Sequence, residues 1–429
     1  MRKGILAAAM VFILAVMSAC GNGTAKSGAS ADTAGAAGAD AEGKVKLKVL
    51  CCIDPEVEGN YRLEIFKEVA ADLGYEIDVE RTDDDTFKTK IRVALQGNEL
   101  PDIFYTWGAA YSEPFIRSGA LYPLDEAIAE SGYDFYDTYL NSDDGHVYAL
   151  PMNAFEAYGV FYNKNVLNKL NAQLPTTWDE LLEFVDLCNA NGITAIALGN
   201  KERWEGDLMY NSLVMMEDTE AFKKALSGEM SFTDAPFLEA AKKVETLVQR
   251  GAFQNGYMQH SDSEAVELIK ADEAAMYWIG PWMIANMTEG ELGEKMGYAT
   301  LPKMSDAVDP KVSSCTNATD AGFAVSARSP YAKEAAKLVV EYTKRINDYG
   351  VALGNVPVMN SPDAIPPENI HEINQVYAQQ MEDLIYTQLW WFSSVDSKYG
   401  EPMRDLSHQQ FAGQISPEDF VKELERIMP

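Results

Sequence analysis

An α/β chain folded into two lobes is the architecture this sequence predicts, on three observations. Strand-like runs alternate with amphipathic helical runs in the order strand, helix, strand, helix, strand, and a second set of the same kind follows. Clusters of Gly, Asn, Asp and Pro punctuate the runs as turns. The part of the chain beyond residue 43, about 385 residues, exceeds what one ordinary core holds.

The chain opens with a basic pair, Arg2 and Lys3, and an uncharged apolar run over residues 5–17. At ~1.5 Å per residue that run makes roughly 20 Å of helix, too short for a bilayer core of about 30 Å. It has the size of a signal-peptide apolar region. Met17, Ser18, Ala19 and Cys20 then place small residues directly before a cysteine. This resembles the bacterial lipobox, in which the cysteine thiol is lipidated and the chain is cut just before it, although Met17 stands where Leu is usual. The expectation is a signal peptide over 1–19 and a lipid on Cys20; the alternative is a plain secretory signal cut after Ala19. Both put the processed chain outside the cytoplasmic membrane. Residues 21–43 are almost all Gly, Ala, Ser, Thr and Asp, with too little apolar surface to offset the entropy of ordering, and read as a flexible linker.

In the first set, residues 45–53 read as a strand closed by Asp54, Pro55 and Glu56. Residues 61–73 have helical periodicity and stop at Gly74; 75–80 read as a strand; 86–96 form an amphipathic helix ended by Gly97 and Asn98; 102–105 form a short strand after Pro101. This order predicts a parallel sheet flanked by helices, whose ligands bind at loops beyond the carboxyl ends of the strands. Those loops carry Asp54, Glu56, Asp83, Asp84, Asp85 and Trp107.

In the second set, 158–163 read as a strand, Thr177 caps a helix over 178–190 that Asn191 and Gly192 end, and 193–198 form a strand. A helix over 237–250 follows, then an apolar strand over 274–279 that runs into Gly280, Pro281 and Trp282. Residues 322–326 read as a strand, 330–343 as a helix, and 372–391 and 416–427 as closing helices.

The net charge of −31 falls further once Arg2 and Lys3 leave. A chain this acidic repels phosphates, so no nucleic acid is expected as a partner. Cys51, Cys52, Cys188 and Cys315 read as small core residues; neighbours in a strand point to opposite faces, so Cys51 and Cys52 do not bond to each other. No CxxC or Cys/His cluster suits zinc, and Asp83-Asp84-Asp85 lacks the spacing of a calcium loop. There is no GxSxG, HExxH, GxxxxGK[ST] or GxGxxG, and the four histidines fall in polar surroundings. The expectation is a protein that is not an enzyme and needs no cofactor or metal.

Aromatic residues carry the positive signal. Of the 7 tryptophans, Trp107, Trp204, Trp278, Trp282, Trp390 and Trp391 fall in or at the ends of strands or in loops, and Trp178 reads as helix packing. An indole face stacks on the C–H face of a sugar ring while carboxylates and amides take its hydroxyls. Trp278 lies inside its strand and reads as core; Trp282, just past Gly280 and Pro281, is the better ligand residue. On residues alone, three readings stay open: a sugar receptor, a surface glycosidase, and a receptor for another solute such as a polyamine or peptide.

An ordered set of motifs narrows these. Gly97-Asn98-Glu99-Leu100-Pro101-Asp102-Ile103, Gly119-Ala120-Leu121-Tyr122-Pro123-Leu124, Tyr148-Ala149-Leu150-Pro151, Phe161-Tyr162-Asn163-Lys164, Leu174-Pro175-Thr176-Thr177-Trp178-Asp179-Glu180-Leu181, Ala274-Ala275-Met276 leading to Gly280-Pro281-Trp282, and Gly297-Tyr298-Ala299 with Leu301-Pro302 occur in that order. Together they resemble the family 1 extracellular solute-binding proteins, the maltose- and multiple-sugar-binding receptors of ABC importers. The resemblance implies a two-lobe periplasmic-binding-protein-like α/β fold with a ligand cleft and a hinge of several crossings. It implies lobes drawn from 45–153 with 311–348 and from 154–310 with 349–429, a carbohydrate ligand, ABC permease subunits as partners, a monomer, and a lipid anchor on the outer face of the cytoplasmic membrane. Aligned motifs imply sugar contacts at Glu156, Trp204 and Trp282, with Trp107 offset by about one residue. Asp54, Glu56, Asp84 and Asp320 are implied through their loops, and Trp391 and Tyr399 as sources of a last aromatic, with Trp390 the alternative.

Overall fold

The computed structural model describes residues 44–53, 60–140, 144–152, 156–319 and 321–429. Cys20, Asp54, Glu56 and Asp320 fall outside the described residues, as do the signal and linker segments.

The first lobe is built on a five-stranded sheet. Its order is Glu76–Arg81, Lys46–Cys51, Ile103–Thr106, Gly322–Val325, Ala149–Pro151. The first three strands are parallel, with Lys46 opposite Glu76 and Val49 opposite Ile103. The other two add antiparallel pairs, because Gly322–Val325 comes back from the second lobe and inserts between Ile103–Thr106 and Ala149–Pro151. The three strands expected to form a parallel sheet do so, and the two added strands make the whole sheet mixed. A Cβ at Gly322 would sit 1.9 Å from the Leu150 carbonyl oxygen, so that insertion needs glycine. Alternate residues face opposite cores, as strand geometry requires. Leu47, Val49 and Cys51 join Ile103, Leu150, Phe323 and Val325 on one face, while Leu50, Phe104, Ala149 and Ala324 meet Phe87, Ile91, Tyr111 and Phe115 on the other.

The second lobe has a four-stranded sheet in the order Thr194–Ala197, Ala274–Ile279, Gly159–Asn163, Met296–Ala299. Thr194–Ala197 and Ala274–Ile279 run parallel; Gly159–Asn163 is antiparallel to both neighbours. Val160, Ile196, Met276 and Trp278 face a large helical core, and Phe161, Ala197, Tyr277 and Ile279 face a smaller one.

The helices start where the sequence places acceptors. Asp83 accepts the Thr86 N–H at the head of helix Asp84–Gly97, which ends at left-handed Asn98. Thr177 caps Trp178–Ala190, with Asp179 and Glu180 in the first turn. Helix Trp204–Met215 is buried all round except at Trp204 itself, so it has no amphipathic signature. The expected single helix over 372–391 is instead helix Glu372–Asp383, strand Tyr386–Leu389 and a short turn Trp391–Ser394. The strand forms because its backbone pairs in parallel with Ser313–Thr316.

The chain crosses between lobes three times: after Ala149–Pro151, after Met296–Ala299, and after helix Ala332–Ala352. The first two crossings are stapled together. Ala157 bridges Thr316, and Tyr158 N–H donates to the Cys315 carbonyl at 3.0 Å. Asn317 accepts the Glu156 N–H through Oδ1 at 2.7 Å and donates through Nδ2 to the Glu156 carboxylate at 3.1 Å.

Candidate ligand cleft

A cavity of about 570 Å³ lies between the lobes, within the size of small-molecule sites. The first lobe contributes strand ends and the loops that follow them: Cys52, Ile53, Arg81, Thr82, Asp83, Asp84, Tyr105 and Trp107, with Arg62 and Thr86 from helices. The crossings contribute Met152, Glu156, Asn317 and Ala321; the second lobe contributes Glu202, Trp204, Leu208, Asp262, Trp282, Trp390, Phe392, Ser393 and Arg404.

Each lobe lines the cavity with an aromatic wall. On the first lobe, Trp107 follows strand Ile103–Thr106 and is held edge-on by Tyr105, Phe87 and Tyr111 at centroid distances of 5.1, 5.5 and 4.9 Å. The Lys88 ammonium sits 4.5 Å from the Trp107 centroid, a cation–π contact. On the second lobe, Trp282 meets Trp204 at 5.9 Å and Trp390 at 5.6 Å, making a corner of three indoles. The Trp282 ring lies against the Gly280 backbone: a Cβ there would fall 1.9 Å from indole Cζ3. Trp204 is aimed by its loop, in which Arg203 takes a left-handed φ of 67°, Asn200 Oδ1 accepts the Gly206 N–H, and the Glu205 carboxylate accepts the Gly199 N–H and the Tyr277 hydroxyl.

Carboxylates line the same cavity. Burial pushes Asp84 upward, but the Lys88 and Arg404 charges outweigh it and hold the group below its ordinary value. Burial raises Glu202 to about 7, helped by the carboxylates of Asp84, Asp83 and Asp85, while the hydrogen bond it accepts from the Asp84 N–H opposes the rise. Burial likewise raises Asp207, just behind the cleft, to about 6 against the pull of Arg404 and Lys88. A carboxyl poised as Glu202 is can accept or donate a hydrogen bond near neutrality, which suits a hydroxyl partner.

Of the residues singled out from sequence, Asp84, Trp107, Glu156, Trp204 and Trp282 share this cavity. Trp391 does not: it is fully buried in the second-lobe core and stacks on Phe222 at 4.3 Å. Its neighbour Trp390 faces the cleft, since consecutive residues at the start of a helical turn point in different directions. Tyr399 packs against the same core outside the cavity, under the Lys398 ammonium. Trp278 is core. Of the cysteines, Cys51, Cys188 and Cys315 are buried, while Cys52 is half-buried at the cleft. Sequence reasoning missed Tyr105, Glu202, Asp262, Asn317 and Arg404. Tyr105 lies between the Gly97–Ile103 motif and Trp107, and Glu202 two residues before Trp204, which was a usable signal; Arg404 lies in helix Ser397–Phe411, whose internal Pro402 hides it. Among the described residues, no His, Cys, Asp and Glu cluster suits a metal, and no helix is long and apolar enough to cross a membrane.

Comparison with known proteins agrees with this geometry. The sequence profile described as bacterial extracellular solute-binding protein matches residues 59–344. An uncharacterized ABC transporter extracellular-binding protein of Pyrococcus horikoshii is 23% identical over 66% of this chain and 64% of its own length. A probable sugar-binding periplasmic protein of Rhizobium meliloti is 34% identical over 39% of this chain and 41% of its own. The match thus spans less than two thirds of either relative. A structure from work on xylan utilization by the thermophilic bacterium Caldanaerobius polysaccharolyticus superposes with a TM-score of 0.79 at 25% identity, covering 90% of this chain and 100% of the other.

Proposed function

The chain belongs to the bacterial extracellular solute-binding protein family, and from that premise we propose that its cleft captures a carbohydrate, an oligosaccharide in particular, for delivery to an ABC permease. The observation that carries this reading is an aromatic group from each lobe lining one cavity together with carboxylates. Flat apolar faces suit the C–H faces of sugar rings, and acids and amides at their edges suit the hydroxyls. The Rhizobium relative, named for probable sugar binding, and the neighbour from a xylan-utilization study support the same reading. In it, the protein acts as a monomer at the outer face of the cytoplasmic membrane, tethered through Cys20 and its linker. The lobes close on the ligand about the three crossings, and the closed form is what the permease meets.

A thermal-shift panel of mono- and oligosaccharides, with spermidine and short peptides as rivals, tests the ligand class, because a ligand that binds only the native state raises its stability. A rise of several degrees with a glycan, confirmed by calorimetric titration, is the expected result. A rise with spermidine or peptide and none with any glycan would return the cleft to a different solute.

A further inference from the structure

Outside the aromatic walls the two lobes meet through charged side chains. Helix Asp84–Gly97 of the first lobe presents Asp84, Asp85 and Arg92 across the gap. The second lobe answers with Arg203, from the loop after Thr194–Ala197, and with Glu401 and Arg404 on helix Ser397–Phe411. Arg404 Nη1 lies 3.0 Å from Asp84 Oδ2, an oxygen that Lys88 also reaches at 2.5 Å. Arg203 Nη2 lies 2.5 Å from Asp85 Oδ1, and Arg92 Nη2 lies 2.6 Å from Glu401 Oε1. At the rim, Arg117 reaches Asp396 at 3.3 Å. Signs alternate across the gap, so each of these bonds holds only while the lobes touch. Arg404 is 2% exposed, and the ion pair it makes is with the other lobe. Separating the lobes takes that partner away and leaves Arg404 to water and to Glu401 and Asp207 of its own lobe, so the pair favours the closed arrangement by what it gains over that solvated state.

We propose that these pairs form a ligand-independent latch: the protein's own charged contacts favour the closed arrangement and set how much of a ligand's binding energy closure consumes. The inference rests on the two-lobe architecture and not on the ligand being a sugar. A ligand shifts an equilibrium only by its differential affinity for the two states, and its apparent affinity scales with the fraction already competent. Residues of the latch therefore tune affinity without touching the ligand. Arg203 and Asp85 are positioning residues of this kind, since neither lines the cavity.

Small-angle scattering of the secreted chain, linker included and with no ligand added, tests the latch. Asp85→Asn and Arg203→Gln each remove the same pair from opposite lobes, and both side chains are partly exposed, so the fold should survive; melting temperature checks this. Asp405→Asn is the control, because it removes an Arg203 partner within the second lobe. The expected result is a compact wild type, a larger radius of gyration in both latch variants and in their double mutant by the same amount, and a control that matches wild type. Profiles of Asp85→Asn and Arg203→Gln that superpose on wild type, equal expansion of the control, or a wild type already extended without ligand would each overturn the latch. None of these outcomes bears on whether the ligand is a sugar, so the two readings fail separately.

Discussion

At the residue scale, two neighbouring tryptophans do opposite work. Trp390 completes the indole corner with Trp282, whereas Trp391 is wedged into the second-lobe core on Phe222. Sequence alone could not separate them, because both follow a strand and only the packed core decides which indole turns inward. Truncation separates them. Trp282→Ala removes a stacking face worth on the order of 1–3 kcal/mol, and so should weaken glycan binding roughly 5- to 150-fold, with a small change in melting. Trp391→Ala should cost about 3–5 kcal/mol of folding stability and leave the affinity of the folded fraction near wild type. Calorimetry and melting of the two variants give crossed results if the assignment is right and parallel results if it is wrong. Glu202 supplies a pH test. It is raised from 4.5 to about 7 by burial and by Asp84, Asp83 and Asp85; the Glu205 carboxylate interacts with it electrostatically, and Asp262 and Arg404 line the same cavity. The native state therefore holds a proton that the unfolded chain has released between about pH 4.5 and 7, so this group's contribution to stability falls as pH rises through that window and is flat above it. Glu202→Gln mimics the protonated form. It should melt above wild type at pH 8 and level with it at pH 5; an equal difference at both values would remove Glu202 as the titrating group.

At the element scale, the legible parts are those whose local chemistry agrees with their packing. Helix Trp178–Ala190 and strand Ala274–Ile279 carry their own boundaries, a Thr cap in one and flanking Asp, Glu and Gly residues in both. Elements decided by distant partners were not legible. Helix Trp204–Met215 is apolar all round and shows no period; Ser397–Phe411 carries Pro402; Tyr386–Leu389 becomes a strand only because Ser313–Thr316 lies beside it. The cleft was legible where aromatic residues follow strand ends, at Trp107 and Trp282. Asn317 was not, because it earns its place by reaching Glu156 across 161 residues of chain. That staple joins two crossings, and it can be weighed. Asn317→Ala leaves the Glu156 N–H and carboxylate each short of a partner in a buried site, at a cost of about 1–3 kcal/mol. Denaturant unfolding should show it as a lower midpoint with an unchanged slope; a midpoint equal to wild type would mean that the crossings are held by the Ala157–Thr316 bridge alone.

At the scale of the whole molecule, the proposed capture of a solute depends on the anchor expected at Cys20 for where it happens. Cys20→Ala should release the chain into the medium, read by fractionation and mass spectrometry; wild-type protein found free and without lipid would remove the anchor from the account. The same scale separates a receptor from an enzyme. Hydrolysis of a glycosidic bond needs one carboxylic acid that gives a proton and a second carboxylate free to act as base or nucleophile on the opposite face of the sugar. In the cleft Glu202, raised to about 7, has a value that suits the acid. The other described lining acids have partners within the protein. Asp84 is held by Lys88 and Arg404, Glu156 by Asn317, Asp83 accepts from Thr86, and Asp262 accepts from the Ser263 N–H. For a member of a solute-binding family, binding without turnover is the expected behaviour: one glycan taken up per chain and recovered intact after dialysis. Incubation of the secreted protein with a glycan that calorimetry shows to bind, followed by assay of reducing ends, checks it. Reducing ends that accumulate well beyond one per chain, and that vanish in Glu202→Gln while binding persists, would make the cleft catalytic.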